Sequence, residues 1–171
     1  MFNVHYNIMN QVHTLSASQT GLRSLLFIAG NIALPHLFHL IPGGGIAFLP
    51  IYWFTLIGAM ACGLTVGLTA ALLSPLLGWL IFGAPAADML PDMLLKGTLL
   101  SLCASFICHR IGRNIPAAAL SVAAAWILAA LAEWPLTGAA YAFQDFVGGW
   151  PGLLLMSIVA PLAARKAPST I

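Results

Sequence analysis

Charge is what this chain has least of. Only six of its 171 residues are Lys or Arg and only four are Asp or Glu. A soluble domain carries about a quarter charged residues, so that class is excluded. The net charge of +2 also offers no basic surface for a nucleic acid. Cysteine is scarce too. Cys62 stands alone, Cys103 and Cys108 fall on different faces of a helix, and none has metal-ligand spacing. They are expected as small apolar core residues. Gly43-Gly44-Gly45 lacks the following Gly-Lys-Ser/Thr of a phosphate loop. Ser74 with His109, or His36 with Asp88 or Asp92, forms no nucleophile–base–orienter set. No catalytic residue, metal or cofactor is therefore assigned. The polar start, Met1 to Thr20, has no basic flank, apolar core or cleavage site of a signal peptide, so the first apolar run is expected to stay in the mature protein.

What is present is apolar residue after apolar residue. Hydrophobic side chains make up 61% of the chain, and the mean hydropathy is +0.98. A helix needs about 20 apolar residues to cross the hydrocarbon core. The chain then reads as an all-α integral membrane protein with six transmembrane helices and short loops. Residues 1–21 form an N-terminal segment, 22–166 the membrane domain and 167–171 a tail. The spans fall at about Leu22–Leu40, Phe48–Cys62, Gly63–Phe82, Met89–Cys108, Ile115–Trp134 and Gly149–Ala164. The Ile41-Pro42-Gly43-Gly44-Gly45-Ile46 stretch is expected to hold no helix, and serves as a plain connector or a flexible lid. A tight turn is required at Cys62-Gly63. Pro75, Pro91, Pro135 and Pro161 mark kinks or helix starts.

Lysine and arginine set the orientation. With six spans, Arg23, Arg110, Arg113, Arg165 and Lys166 fall on one side, and Asp88, Asp92 and Asp145 on the other. The positive-inside rule makes both termini cytoplasmic in a multi-pass cell (inner) membrane protein. Small residues mark helix contacts. Ala59, Gly63, Gly67 and Ala71 form one ladder and Ser121, Ala125 and Ala129 another, both expected inside the bundle. Ala29 and Ala33 pair on the first span, facing either its neighbours or a separate subunit.

One charge breaks the pattern. Lys96 lies well inside the fourth span, where an ammonium costs roughly 2.5–3.5 kcal/mol on insertion scales and so marks a cavity or partner. Asp92, one turn earlier on the same face, is an i,i+4 partner, and Glu133 near the outer end of the fifth span is the other. Lys96 either binds an anionic or electron-rich substrate group or forms a structural ion pair. Trp53 and Trp134 are interfacial belt residues, like Tyr52, Trp79, Tyr141 and Trp150, or stack on a ligand ring. Asn31 bonds a neighbouring helix or substrate. His36 and His39 share a face near the outer interface, without a third metal ligand nearby in sequence.

Several runs together carry a resemblance. They are Phe48-Leu-Pro-Ile-Tyr-Trp-Phe-Thr-Leu-Ile-Gly, Gly63-Leu-Thr-Val-Gly-Leu, Leu73-Ser-Pro-Leu-Leu-Gly-Trp-Leu-Ile-Phe-Gly-Ala-Pro, Met89-Leu-Pro-Asp-Met and Gly149-Trp-Pro-Gly-Leu-Leu-Leu. Taken in order from Leu22 to Lys166, the chain resembles the substrate-binding S components of energy-coupling factor (ECF) vitamin transporters. The resemblance implies a six-helix bundle with a small-molecule substrate, a vitamin or related micronutrient, held near the outer face. The residue reading above supplies the candidate substrate-binding residues, Lys96, Asp92, Trp53, Asn31, Glu133, Trp134 and His39. The resemblance also implies a transmembrane coupling subunit docking on Ala29 and Ala33, with ATPase subunits completing the ECF module. A structural subunit of a membrane complex is the alternative, and a membrane-embedded enzyme the third reading.

Overall fold

The computed structural model describes residues 17–166. The expectations for residues 1–16 and 167–171 lie outside the described residues. Nine helices follow one another in the described chain: α1 (Ala17–Phe38), α2 (Gly44–Phe48), α3 (Trp53–Cys62), α4 (Leu64–Phe82), α5 (Leu90–Ile111), α6 (Ile115–Thr137), α7 (Ala139–Ala142), α8 (Gln144–Gly148) and α9 (Trp150–Lys166). A 3₁₀ turn, Pro50–Tyr52, joins α2 to α3, and another, Ala87–Met89, leads into α5.

Among the described residues, five stretches are long and apolar enough to cross a membrane: Ala17–Phe38, Gly44–Cys62, Leu64–Phe82, Ala87–Ile111 and Ile115–Thr137. The sixth, α9, has 17 residues, or roughly 25 Å of helix. Six spans were expected, and five of them are found among the described residues by length and composition. Two further expectations change. The first helix already includes Ala17, ahead of the expected Leu22, because Ala17-Ser18-Gln19-Thr20 contains no proline or glycine to stop a helix. The glycine connector does hold a helix: α2 starts at Gly44. A helical turn is sterically open to glycine. Here it is also enforced by the Gly44 N–H donating to the Ile41 carbonyl and the Ala47 N–H to the Gly43 carbonyl.

The turn between α3 and α4 is the tight one expected. Gly63 sits at φ 88°, a left-handed value that a β-carbon disfavours. The two helices it joins touch closely. A Cβ on Gly67 would stand 2.6 Å from the Ala59 Cβ, and one on Gly97 of α5 would stand 3.1 Å from the Ala71 Cβ. The small-residue ladder therefore packs inside, as does Ser121–Ala125–Ala129, whose members are fully buried. Leu56, Met60, Leu100, Val122, Trp126 and Met156 fill the space between α3, α5, α6 and α9. Cys108 is buried with them, and no cysteine is in a disulfide among the described residues. Pro91 opens α5, while Pro75, Pro135 and Pro161 lie within continuous helices.

The helices alternate in direction, so their ends sort by charge. Arg23 reaches Cys62 Sγ at 3.6 Å, and Arg165 Nε donates to the Arg113 carbonyl at 3.0 Å. Asn114 caps α6 by accepting from the Ala117 N–H. These contacts gather the chain's arginines at one end. The opposite end holds α2, the Ala84–Met89 segment, α7 and α8. Between the two ends the outside is apolar, with Leu80, Phe106, Leu131 and Leu154 all exposed. A belt of this kind suits lipid contact.

Candidate functional site

Two features occupy the arginine-poor end. The first is built around Lys96. Pro91 at the first turn of α5 fixes where the helix starts. Lys96 then follows after less than two turns, roughly 10 Å along the axis. Its side chain is 1% exposed, and its Nζ meets three carboxylates. Asp92 Oδ1 is at 2.5 Å, Asp145 Oδ2 at 2.9 Å and Glu133 Oε2 at 3.7 Å. Helix periodicity supplies Asp92, the C-terminal part of α6 supplies Glu133, and α8 brings Asp145 in from the loop region. Three of the four acidic residues in the chain thus converge on one ammonium.

The surroundings are aromatic. Trp126 Nε1 donates to Asp145 Oδ2 at 3.2 Å, and Tyr52 packs edge-on against the Trp126 ring at 5.1 Å. Tyr52 is 4% exposed, so the interfacial role expected of it does not hold. The 3₁₀ turn points it into the core instead of outward. Tyr141, on α7 beyond the end of α6, has its phenol held above the ordinary value by burial first and then by the charge of Asp92. Glu133 is the least satisfied member. Its side chain is 7% exposed, yet neither carboxylate oxygen has a hydrogen-bond donor.

The second feature is a cavity of about 600 Å³ between α1, α2, α4 and the start of α5. Asn31, His36, His39, Gly45, Ile46, Ser74, Pro85, Met89 and Met93 are among its lining residues. The α2 helix forms one wall, packed so closely that a Cβ on Gly45 would stand 2.9 Å from the His39 ring. Most of the lining is apolar, with Asn31, His36, His39 and Ser74 as its polar side chains. Ser74 Oγ already donates to the Ala70 carbonyl, and His36 Nδ1 is 2.8 Å from the Ile32 carbonyl. The cavity size falls within the range of small-molecule sites, roughly 300–1,000 Å³.

The residues expected to bind substrate divide between these features. Lys96, Asp92 and Glu133 come together, and Asp145 joins them without having been singled out as a partner. Its one signal in the sequence is that it falls on the same side as Asp92. Asn31 and His39 line the cavity. Asn31 also does structural work: its Nδ2 donates to Thr55 Oγ1 at 2.8 Å, and its Oδ1 accepts from the Phe54 N–H at 3.0 Å. Trp53 Nε1 donates to the Phe48 carbonyl and its ring lies 6.1 Å from that of Phe38. Trp134 is half exposed, edge-on to Phe143. Neither tryptophan lines the cavity. Ala29 and Ala33 are exposed on α1 and border a shallow groove closed by Ile32, His36 and Phe82. Among the described residues no three His, Cys, Asp or Glu side chains are placed to hold a metal ion. The three carboxylates share an ammonium instead.

Comparison with protein-family models, with curated proteins and with solved structures found no match.

Proposed function

We propose that this chain is the substrate-binding membrane subunit of an ECF-type importer for a vitamin or related small micronutrient. On this reading α9 is a sixth span, both termini are cytoplasmic and the protein resides in the cell (inner) membrane. The observation that carries the proposal is the cavity of about 600 Å³ at the arginine-poor end. Under the positive-inside rule that end faces outward, where an importer collects its ligand. The motif resemblance and the buried polar cluster beside α6 support the same reading. Transport energy then comes from partners, a transmembrane coupling subunit and ATPase subunits, because no phosphate-binding loop is present in the sequence.

The test is purification from the native host followed by mass spectrometry of small molecules released on denaturation. A stoichiometric metabolite that rebinds the purified chain is the expected result. Co-purification with a fixed set of membrane proteins and no metabolite points to an assembly subunit. Turnover of a metabolite by the chain alone points to an enzyme. Either of these outcomes overturns the proposal.

A further inference from the structure

The Lys96 cluster is short of positive charge. With all four groups ionised, Asp92, Glu133 and Asp145 set three negative charges against the one of Lys96. No other lysine or arginine makes up the difference, since Arg23, Arg110, Arg113, Arg165 and Lys166 belong to the opposite end of the bundle. Unmatched charge at this depth is costly. Glu133 shows where the deficit is greatest. It is more than nine-tenths buried, it is the carboxylate farthest from Nζ, and both of its oxygens lack a donor while facing the cluster.

We propose that this cluster is a recognition site for a cationic group of the ligand, a protonated amine or amidinium seated against Glu133. The proposal rests on the importer reading and gives its substrate class. Lys96 is then a fixed internal counter-ion that holds Asp92 and Asp145 in place, and the incoming cation supplies the charge that Glu133 lacks. The aromatic neighbours suit this role. Trp126 is bonded to Asp145, and Tyr52 packs on Trp126. These two rings are buried against each other, so their part is to fix Asp145 in position beside Glu133. An anion meets the opposite situation, because three carboxylates already surround the one ammonium of the cluster. Asp92 and Asp145 remain 17% and 13% exposed, so the cluster is reachable from the arginine-poor end.

The test uses the full chain in detergent and three probes that share one ring and differ in charge: benzylammonium, benzyl alcohol and phenylacetate. Thermal unfolding is followed against probe concentration for the natural chain and for Glu133→Gln and Asp145→Asn, each checked for monodispersity. Benzylammonium is expected to stabilise the natural chain selectively. Its apparent affinity is expected to fall by about tenfold or more in each variant, as for the loss of a charged hydrogen bond. Two independent variants keep the test decisive if one of them fails to fold. Stabilisation by phenylacetate, by all three probes equally or by none overturns the cationic site. The importer reading is judged apart from this, by the co-purifying metabolite. A stoichiometric metabolite without a cationic group sinks the cationic site and leaves the importer standing.

Discussion

Asp145 Oδ2 lies 2.9 Å from Lys96 Nζ, which ties the short helix α8 to the second turn of α5. Asp145 also accepts from Trp126 on α6. A single carboxylate therefore joins α5, α6 and α8, while Phe146 of α8 packs half-buried against the core beside it.

The first prediction follows from this imbalance of charge. Lys96→Met leaves three carboxylates facing one another, and removing one side of a buried ion pair costs about 3–5 kcal/mol. Asp145→Asn removes one of the surplus negative charges and keeps an acceptor for Trp126, so it is expected to cost far less. Thermal unfolding of the two variants in the same detergent makes the comparison. An Asp145→Asn protein less stable than Lys96→Met contradicts the charge count.

The exposed face of α1 gives the second prediction. Only Ser24, Ile28 and Asn31 of this helix are buried, and Ala29 and Ala33 lie on its open side. Replacing both with Leu leaves the interior untouched, so unfolding temperature is expected to change little. Close approach of a partner helix is blocked. Co-purification with a coupling subunit is expected to be lost while ligand affinity is kept. Normal assembly of the double variant means that this face meets lipid.

Much of this architecture is legible in the sequence because hydrophobic runs and glycines mark helix ends directly. Gly63 is both the break between two apolar runs and the residue at positive φ. The i,i+4 spacing gives the Asp92–Lys96 pair for the same reason: both residues lie on one helix, whose geometry is known in advance. Asp145 is different. It sits on α8, and its approach to Lys96 depends on how the segment from Gly138 to Gly149 folds back, which no local pattern encodes. The helix at Gly44 was missed on a similar basis. A glycine run lowers helix propensity, and packing overrides it here: a Cβ on Gly44 would collide with the Phe38 carbonyl. Tyr52 looked interfacial because sequence places it near a span end, whereas the 3₁₀ turn rotates it inward.

Asn31 carries the third prediction. The first N–H groups of any helix lack partners within it, and at the start of α3 the Phe54 N–H is satisfied by Asn31 from α1. The same side chain donates to Thr55. Asn31→Leu removes both bonds from a fully buried position, with an expected loss of about 1–3 kcal/mol. Asn31→Asp retains the acceptor for Phe54 but places a carboxylate in the interior and removes the donor to Thr55. It is expected to destabilise as well. Thermal melts that leave either variant unchanged would show that water or another group replaces the amide.

The last prediction concerns orientation and the sixth helix. The 17 described residues of α9 make roughly 25 Å of helix, close to the thickness of the hydrocarbon core. Trp150 at its start is 57% exposed, and Arg165 and Lys166 close its last turn. Tryptophan and basic residues are the side chains that settle at membrane interfaces, so under the proposed function α9 is expected to be anchored at both ends and to cross. Six passes would then put both termini on one side. The side that holds Arg23, Arg110, Arg113, Arg165 and Lys166 is expected to be the cytoplasmic one. In a background with Cys62, Cys103 and Cys108 replaced by Ala, single cysteines at Ser18 and Ala167 are expected to resist a membrane-impermeant thiol reagent in intact cells. Both are expected to react after the membrane is opened. Labelling at Ser18 alone from outside gives an odd number of crossings and removes α9 from the membrane. Labelling at both sites inverts the bundle and puts the cavity on the cytoplasmic side, where an importer cannot load it from outside.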